Sequence, residues 1–115
     1  GLACGEANTI SWEILKSKSS FFASLPDYSA ARGMRVLGAP VVGDPRVISG
    51  ESGAAPAGLL VEIISNPAFA DFRKALGLDA SSRVLLFNTE GDTDPDQYQR
   101  IVWDGEFAVP GSKQE

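Results

Sequence analysis

Residues 83–97 read "RVLLFNTEGDTDPDQ", an apolar run that passes without a break into a cluster of acids around a glycine. Val84, Leu85, Leu86 and Phe87 are consecutive rather than alternating with polar residues, the pattern of a strand covered on both faces in a parallel sheet. From Asp94 onward the residues read as a helix with acids in its first turn, where they offset the positive end of the backbone dipole. A buried strand that turns into a helix puts the chain in the α/β class.

Working outward, the rest of the chain supplies more helices than strands. Asn8 and Thr9 can cap a helix over residues 9–19, with Ile10, Trp12, Ile14 and Leu15 inside it and Lys16 and Lys18 near its negative end. "FFASLP" (21–26) is a second strand candidate, closed by Pro26. Asp27 then caps "YSAARGMRVLG", a helix with one apolar face that Gly38 and Pro40 stop. Residues 39–53, "APVVGDPRVISGESG", form a glycine- and proline-rich connector in which only "RVIS" (46–49) can extend as a strand. A helix is predicted over 54–64, with Pro56 in its first turn and a stripe of Leu59, Leu60, Ile63 and Ile64. Another runs from Pro67 to Gly77. The expected architecture is therefore α/β, a partial parallel sheet with flanking helices. Two or three strands alone leave sheet edges open, so such a piece should be sticky or pair with a partner.

The totals bound the chemistry. With 115 residues, 43% of them hydrophobic and 22% charged, the chain has the composition of a globular protein with one core. The net charge of −5, with its basic residues scattered, argues against nucleic acid and against anionic membrane surfaces as partners. Cys4 is the one cysteine and histidine is absent, which excludes an internal disulfide, a Cys/His zinc site and a Ser-His-Asp triad. No apolar stretch approaches the roughly 20 residues that cross a bilayer, and a cytoplasmic setting is expected. The chain opens on "GLACG" without a methionine and closes on small and polar residues. Residues 1–115 are thus expected to be a single incomplete domain cut from something larger, with 106–115 as a flexible tail.

The acidic cluster admits three readings. A calcium loop counted from Asp92 needs glycine at its sixth position and glutamate at its twelfth, where Gln97 and Trp103 stand instead, so no metal site is expected. A carboxylate pair for glycoside chemistry needs two acids facing each other across a bond, whereas neighbours on one loop project outward together. The third reading uses position: ligands of open parallel sheets sit at the carboxyl ends of strands, where Asn88, Thr89 and Gly91 would lie. A plain strand-to-helix turn accounts for those residues equally well.

Together, "GLACGEANTISWEIL", "AARGMRVLG", "DPRVISGESGA" and "RVLLFNTEGDTDPDQYQRIVWDG" resemble the C-terminal part of the diaminopropionate ammonia-lyases. These are pyridoxal-phosphate enzymes of the tryptophan synthase β-subunit fold type, and the resemblance runs from Gly1 to about Gly105. Threonine and serine dehydratases, more distant, share only the short glycine-containing pieces. The resemblance implies a parent enzyme that converts 2,3-diaminopropionate, a small amino acid, to pyruvate and ammonia, with pyridoxal phosphate as the electron sink. A homo-oligomeric parent is expected as well.

The Schiff-base lysine and the phosphate loop of this fold type lie upstream, and Lys16, Lys18, Lys74 and Lys113 stand in no matching context. No catalytic residue is therefore assigned. The piece is expected to be inactive alone, not to retain the cofactor, and to have the missing N-terminal part of its parent as partner.

By resemblance, Asn88 stands where relatives of the fold type carry a serine or threonine that hydrogen-bonds the pyridine nitrogen, with Thr89 beside it. Glu51, Ser52 and Gly53 belong to a segment that passes the ring, and Cys4 to a loop on its substrate side. Each has a plainer alternative: Glu51 as a helix cap, Ser52 and Gly53 as shapers of a helix start, Cys4 as a small buried filler. The amide of Asn88 can donate to an unprotonated ring nitrogen or accept from a protonated one. Two rivals to this reading remain: a non-catalytic α/β binding or interaction module, and a fragment of another lyase of the same fold type.

Overall fold

The computed structural model describes Leu2, residues 5–108 and Gly111. Asn8 opens the first helix, α1 (Thr9–Lys18), by accepting from the N–H groups of Ile10 at 3.1 Å and Ser11 at 2.9 Å; Lys16 and Lys18 occupy its last turn. α1 buries none of its residues and packs on no other helix. Its tie to the body is local: Trp12 meets Phe22 with ring centroids 6.2 Å apart, and Phe21 meets Phe72 edge-on at 6.5 Å.

α2 (Asp27–Gly38) and α3 (Glu51–Ser65) form the centre of the molecule. Their facing residues are small: Ser29, Ala30 and Gly33 on α2, Ala54, Ala57 and Gly58 on α3, all buried. The two backbones approach so closely that a Cβ built on Gly33 would lie 2.8 Å from the Gly58 nitrogen, and closer still to the Ala54 carbonyl oxygen. One built on Gly58 would lie 2.7 Å from the Ser29 carbonyl carbon. Charge closes the edge of this contact, where Arg32 pairs with Glu62, a buried acid, and reaches the Ser65 hydroxyl at 3.3 Å.

After α3 a 3-10 turn (Pro67–Phe69), capped by Asn66, leads into α4 (Ala70–Ala75). Gly77, at φ +68°, ends it: its N–H donates to Lys74 and that of Leu78 to Arg73, a paired closure that needs a left-handed residue. α5 (Pro95–Val102) starts at Asp94, whose carboxylate accepts from Gln97 N–H at 3.0 Å, with Pro95 in the first turn where its missing N–H costs nothing. Tyr98 and Ile101 on α5 join Ala31, Met34 and Ala54 in the core. Arg35 ties α5 down from α2, donating from Nε to the Ile101 carbonyl at 3.0 Å and from Nη2 to the Glu106 carbonyl. Partial burial lowers this guanidinium from its ordinary value.

Helices stand in each stretch predicted from sequence, two of them with shifted starts, and the one predicted from Pro67 to Gly77 is a 3-10 turn followed by the shorter α4. Asp27 is the first residue of α2 rather than its cap; Pro26 holds the cap position and makes no side-chain cap bond. α3 begins at Glu51, three residues before the predicted Ala54, which moves Pro56 from the first turn to the second.

The expected sheet is a different matter. The α/β class with a partial parallel sheet is overturned: among the described residues there is no strand, and segments 21–26, 46–49 and 83–88 are irregular. A strand exists only through its ladder, and none of the three meets another along its length. The run at 84–87 that read as covered on both faces is bare, with Leu85 76% and Phe87 75% exposed. The radius of gyration, 15.2 Å, exceeds the roughly 13 Å of a compact domain of about this length, in keeping with helices that surround no closed sheet. No helix among the described residues is long and apolar enough to cross a membrane.

Gly33→Ala and Gly58→Ala should each force α2 and α3 apart and cost about 1–3 kcal/mol, lowering the midpoint of urea unfolding, while Gly91→Ala, with open space at its Cβ, should stay within about 0.5 kcal/mol. The buried Tyr98 hydroxyl has no hydrogen-bond partner among the described residues, and a Cβ on Gly38 would stand 2.6 Å from it. Tyr98→Phe removes a desolvated polar group and keeps the ring, so the same unfolding curve should move to equal or higher urea.

Candidate functional site

Two stretches far apart in sequence, 46–53 and 88–94, converge where α3 begins. Residues 46–50 arrive from the connector, 51–53 form the first turn of α3, and 88–94 lead into α5. The hydrogen bonds that join them run mainly through Asn88. Its Nδ2 donates to the Ile48 carbonyl at 3.1 Å. Its Oδ1 accepts from the Ser49 hydroxyl at 3.0 Å and, more weakly, from Glu90 N–H at 3.4 Å. A backbone bond from Gly50 N–H to the Glu90 carbonyl, 3.1 Å, runs beside them. Ser49, 1% exposed, is the buried floor of this junction, and the Gly50 carbonyl at 2.9 Å offers its hydroxyl an alternative acceptor.

Glycine is a requirement here. A Cβ on Gly53 would stand 2.6 Å from Ser49 Oγ and nearer still to Asn88 Oδ1, and one on Gly50 would stand 2.8 Å from the Gly91 carbonyl oxygen. α3 can bring its first turn against the Asn88 amide only because these positions have no side chain. On the far side Thr93 Oγ1 donates to Glu90 Oε1 at 2.8 Å, so Glu90 is held within its own loop.

The sequence-predicted residues fall as follows. Asn88 is exposed, with its amide fixed as described; Thr89 is exposed beside it; Gly53 is buried directly beneath. Glu51 and Ser52 lie in the first turn of α3, half-buried and exposed respectively. The structure thus brings five of the six named residues to one junction, and Cys4 lies outside the described residues. Ser49 and Gly50 open the "SGESGA" segment that resemblance places beside the ring, but sequence reasoning did not name them as site residues. The signal for them was the spacing of "SGESG", where a small hydroxyl residue next to glycine marks a place of close backbone approach. Of the acids, Asp94 is the cap of α5 and Asp96 sits in its first turn. Among the described residues no three acidic or sulfur-bearing side chains converge as metal ligands.

The hollow at the junction, bordered by Gly50, Glu51, Glu90, Gly91 and Tyr98, encloses only about 40 Å³, far below the roughly 300–1,000 Å³ of small-molecule sites. Larger hollows lie elsewhere and are apolar: about 580 Å³ bordered by Leu60, Ile64, Leu78 and Val84, and about 400 Å³ bordered by Phe22, Leu25, Leu59 and Phe72. Size and chemistry therefore point to different places. The junction carries the converging polar groups, and it is the candidate site, as one wall rather than an enclosure.

No family model matches the chain. It is 53% identical over 109 residues to the diaminopropionate ammonia-lyase of Salmonella typhimurium, covering 94% of this chain and 27% of that protein. To the Escherichia coli K12 protein of the same name it is 48% identical over 109 residues, with 95% and 27% covered. Crystal structures of the Escherichia coli enzyme superpose on 94% of the chain with a TM-score of 0.88 at 47% identity. One is in complex with D-serine, the other with an aminoacrylate-PLP azomethine reaction intermediate, and the chain covers 28% and 29% of them. The resemblance read from the sequence is thus borne out, and the chain spans a little over a quarter of the length of the relatives it matches.

Gly53→Ala should push α3 off the Asn88 amide, and Asn88→Ala should leave the Ile48 carbonyl and Ser49 hydroxyl short of a partner, each at about 1 kcal/mol or more. Amide hydrogen exchange should report both, as faster exchange at Gly50 and Glu90, with α5 amides unchanged.

Proposed function

We propose that this homologue of one segment of the diaminopropionate ammonia-lyases is the C-terminal part of a pyridoxal-phosphate enzyme that converts 2,3-diaminopropionate to pyruvate and ammonia, and that it forms one wall of the cofactor site. The observation that carries the reading is the fixed Asn88 amide, pressed against the glycine turn of α3 and open to solvent on its other side.

The residues of the junction fit a planar heteroaromatic cofactor. One Asn88 N–H is committed to Ile48 and the Oδ1 to Ser49 and Glu90, which leaves the second N–H as the group on offer. Asn88 then acts as donor, and the partner it suits is an unprotonated ring nitrogen. Of the two options the sequence left open, the hydrogen-bond network favours this one. Gly53 keeps α3 close without intruding on the amide and Glu51 borders the adjoining hollow, with Ser52 between them in sequence and Thr89 next to Asn88. Pyridoxal phosphate, when bound, supplies the sink for negative charge developing at the substrate Cα. Lys16 and Lys18 lie on α1 and Lys74 on α4, none of them among the hydrogen-bond partners of the junction, and the lysine that holds the cofactor is assigned to the rest of the enzyme.

The test is a full-length chimera in which this chain replaces the matching segment of the Salmonella typhimurium enzyme. It should release pyruvate from 2,3-diaminopropionate, followed by coupled reduction to lactate. Asn88→Ala in it should lower kcat roughly tenfold, the effect of losing about 1.4 kcal/mol of positioning, and Asn88→Ser should recover most of the loss. The 115-residue chain alone should give neither pyruvate nor a visible absorption band with pyridoxal phosphate. Turnover by the isolated chain would sink this reading.

A further inference from the structure

The Asn88 amide is held at both ends, and the two holds differ in kind. At one end Nδ2 donates to the Ile48 carbonyl at 3.1 Å, a group that can only accept. That bond fixes which end of the amide is nitrogen. The Ser49 hydroxyl therefore faces Oδ1, at 3.0 Å, and is the donor in that contact. Residue 49 is only 1% exposed, a place where a hydroxyl costs free energy unless it is paired and where the smaller alanine would fit without a clash.

We infer that Ser49 is a positioning residue for the cofactor, whose hydroxyl locks and polarises the Asn88 amide so that its second N–H stays aimed at the ring nitrogen. This rests on the reading of Asn88 as the ring contact, and it names the side chain on which that contact depends. A single bond at Nδ2 leaves the amide plane free to swing about the Ile48 carbonyl. A second bond at Oδ1 fixes the plane, and with it the direction of the uncommitted N–H. Drawing electron density toward Oδ1 also makes the Nδ2 hydrogens better donors, as in any chain of hydrogen bonds.

The rival acceptor for the hydroxyl is the Gly50 carbonyl at 2.9 Å. That oxygen already accepts from Ala54 N–H at 3.0 Å as α3 begins, whereas Oδ1 has otherwise only the 3.4 Å contact with Glu90 N–H. The poorer-served acceptor gains more from the hydroxyl. Packing supports the same assignment. α3 presses Gly53 against both partners, so closely that a Cβ there would stand 2.6 Å from Ser49 Oγ, and its first turn holds the hydroxyl and the amide together.

A double-mutant cycle in the full-length chimera tests this, read as the dissociation constant for pyridoxal phosphate and as steady-state kinetics. Ser49→Ala should weaken cofactor binding about fivefold and lower kcat, with KM for 2,3-diaminopropionate unchanged, as for one lost buried hydrogen bond. In an Asn88→Ala background the same substitution should change binding by less than about 1.5-fold, because Ser49 acts only through that amide. Ser49→Cys keeps a side chain of similar shape with a weak donor, so it separates the hydrogen bond from packing; it should weaken binding nearly as far as alanine does. Equal losses from Ser49→Ala in both backgrounds would make Ser49 a structural residue and overturn the inference. Full affinity in Ser49→Ala or Ser49→Cys, beside weakened binding in Asn88→Ala, would overturn it too and leave the proposed function standing. Unchanged binding in Asn88→Ala would remove the ring contact itself, and the role of Ser49 with it. Because affinity is read without turnover, a chimera that binds the cofactor and releases no pyruvate sinks the proposed reaction alone.

Discussion

The contact between α2 and α3 is the constraint on which the rest of this structure depends. Gly33 and Gly58 allow two helix backbones to meet without intervening side chains, and the surrounding Ala30, Ala54 and Ala57 keep the approach close along its length. Once α3 is fixed on α2, its first turn is fixed too, and that turn is what Asn88 leans on. The other face of α2 is equally committed, since Met34 packs into the cluster with Tyr98 and Ile101, and Arg35 holds the carbonyl end of α5. A single helix therefore positions both the floor of the junction, through α3, and the loop that brings Asn88 to it, through α5.

Charge adds direction to this packing more than it adds stability. Arg32 and Arg35 lie three residues apart on α2 and turn to different neighbours, Arg32 to Glu62 on α3 and Arg35 to the end of α5. Glu62 is buried while Arg32 keeps part of its surface in water, so the desolvation of the acid offsets much of the attraction. Removing Arg32 would still be costly, because it would strand a buried carboxylate. The pair fixes the rotation of α3 against α2, which small and featureless glycine and alanine faces leave loosely specified.

How much of this was legible in the sequence depends on how local each feature is. The helices were legible because their signals are local: Asn8 as a cap, Asp94 followed by Pro95, and Gly77 just past the end of α4. The start of α3 was misplaced by three residues because Gly50, Ser52 and Gly53 are poor helix formers, and packing against α2 and Asn88 overrides that preference. The sheet failed for a deeper reason. The run at 84–87 carries the composition of a covered segment, yet among the described residues no other segment pairs with it along its length or covers it. Asn88 and Thr89 were singled out by their place at the end of the apolar run as well as by resemblance, and the glycine turn by resemblance alone. Ser49 was missed because its role exists only once residues 49 and 88 are side by side.

The largest hollows and the candidate site do not coincide. The junction is a shallow surface whose hollow encloses only about 40 Å³. The hollow beside Val84 is, conversely, bordered mainly by apolar side chains and lacks the converging polar groups of the junction. The Asn88 amide is oriented by Ile48, Ser49 and the close approach of Gly53, so the direction of this polar group follows from the packing of the first turn of α3 and not from the size of the hollow beside it.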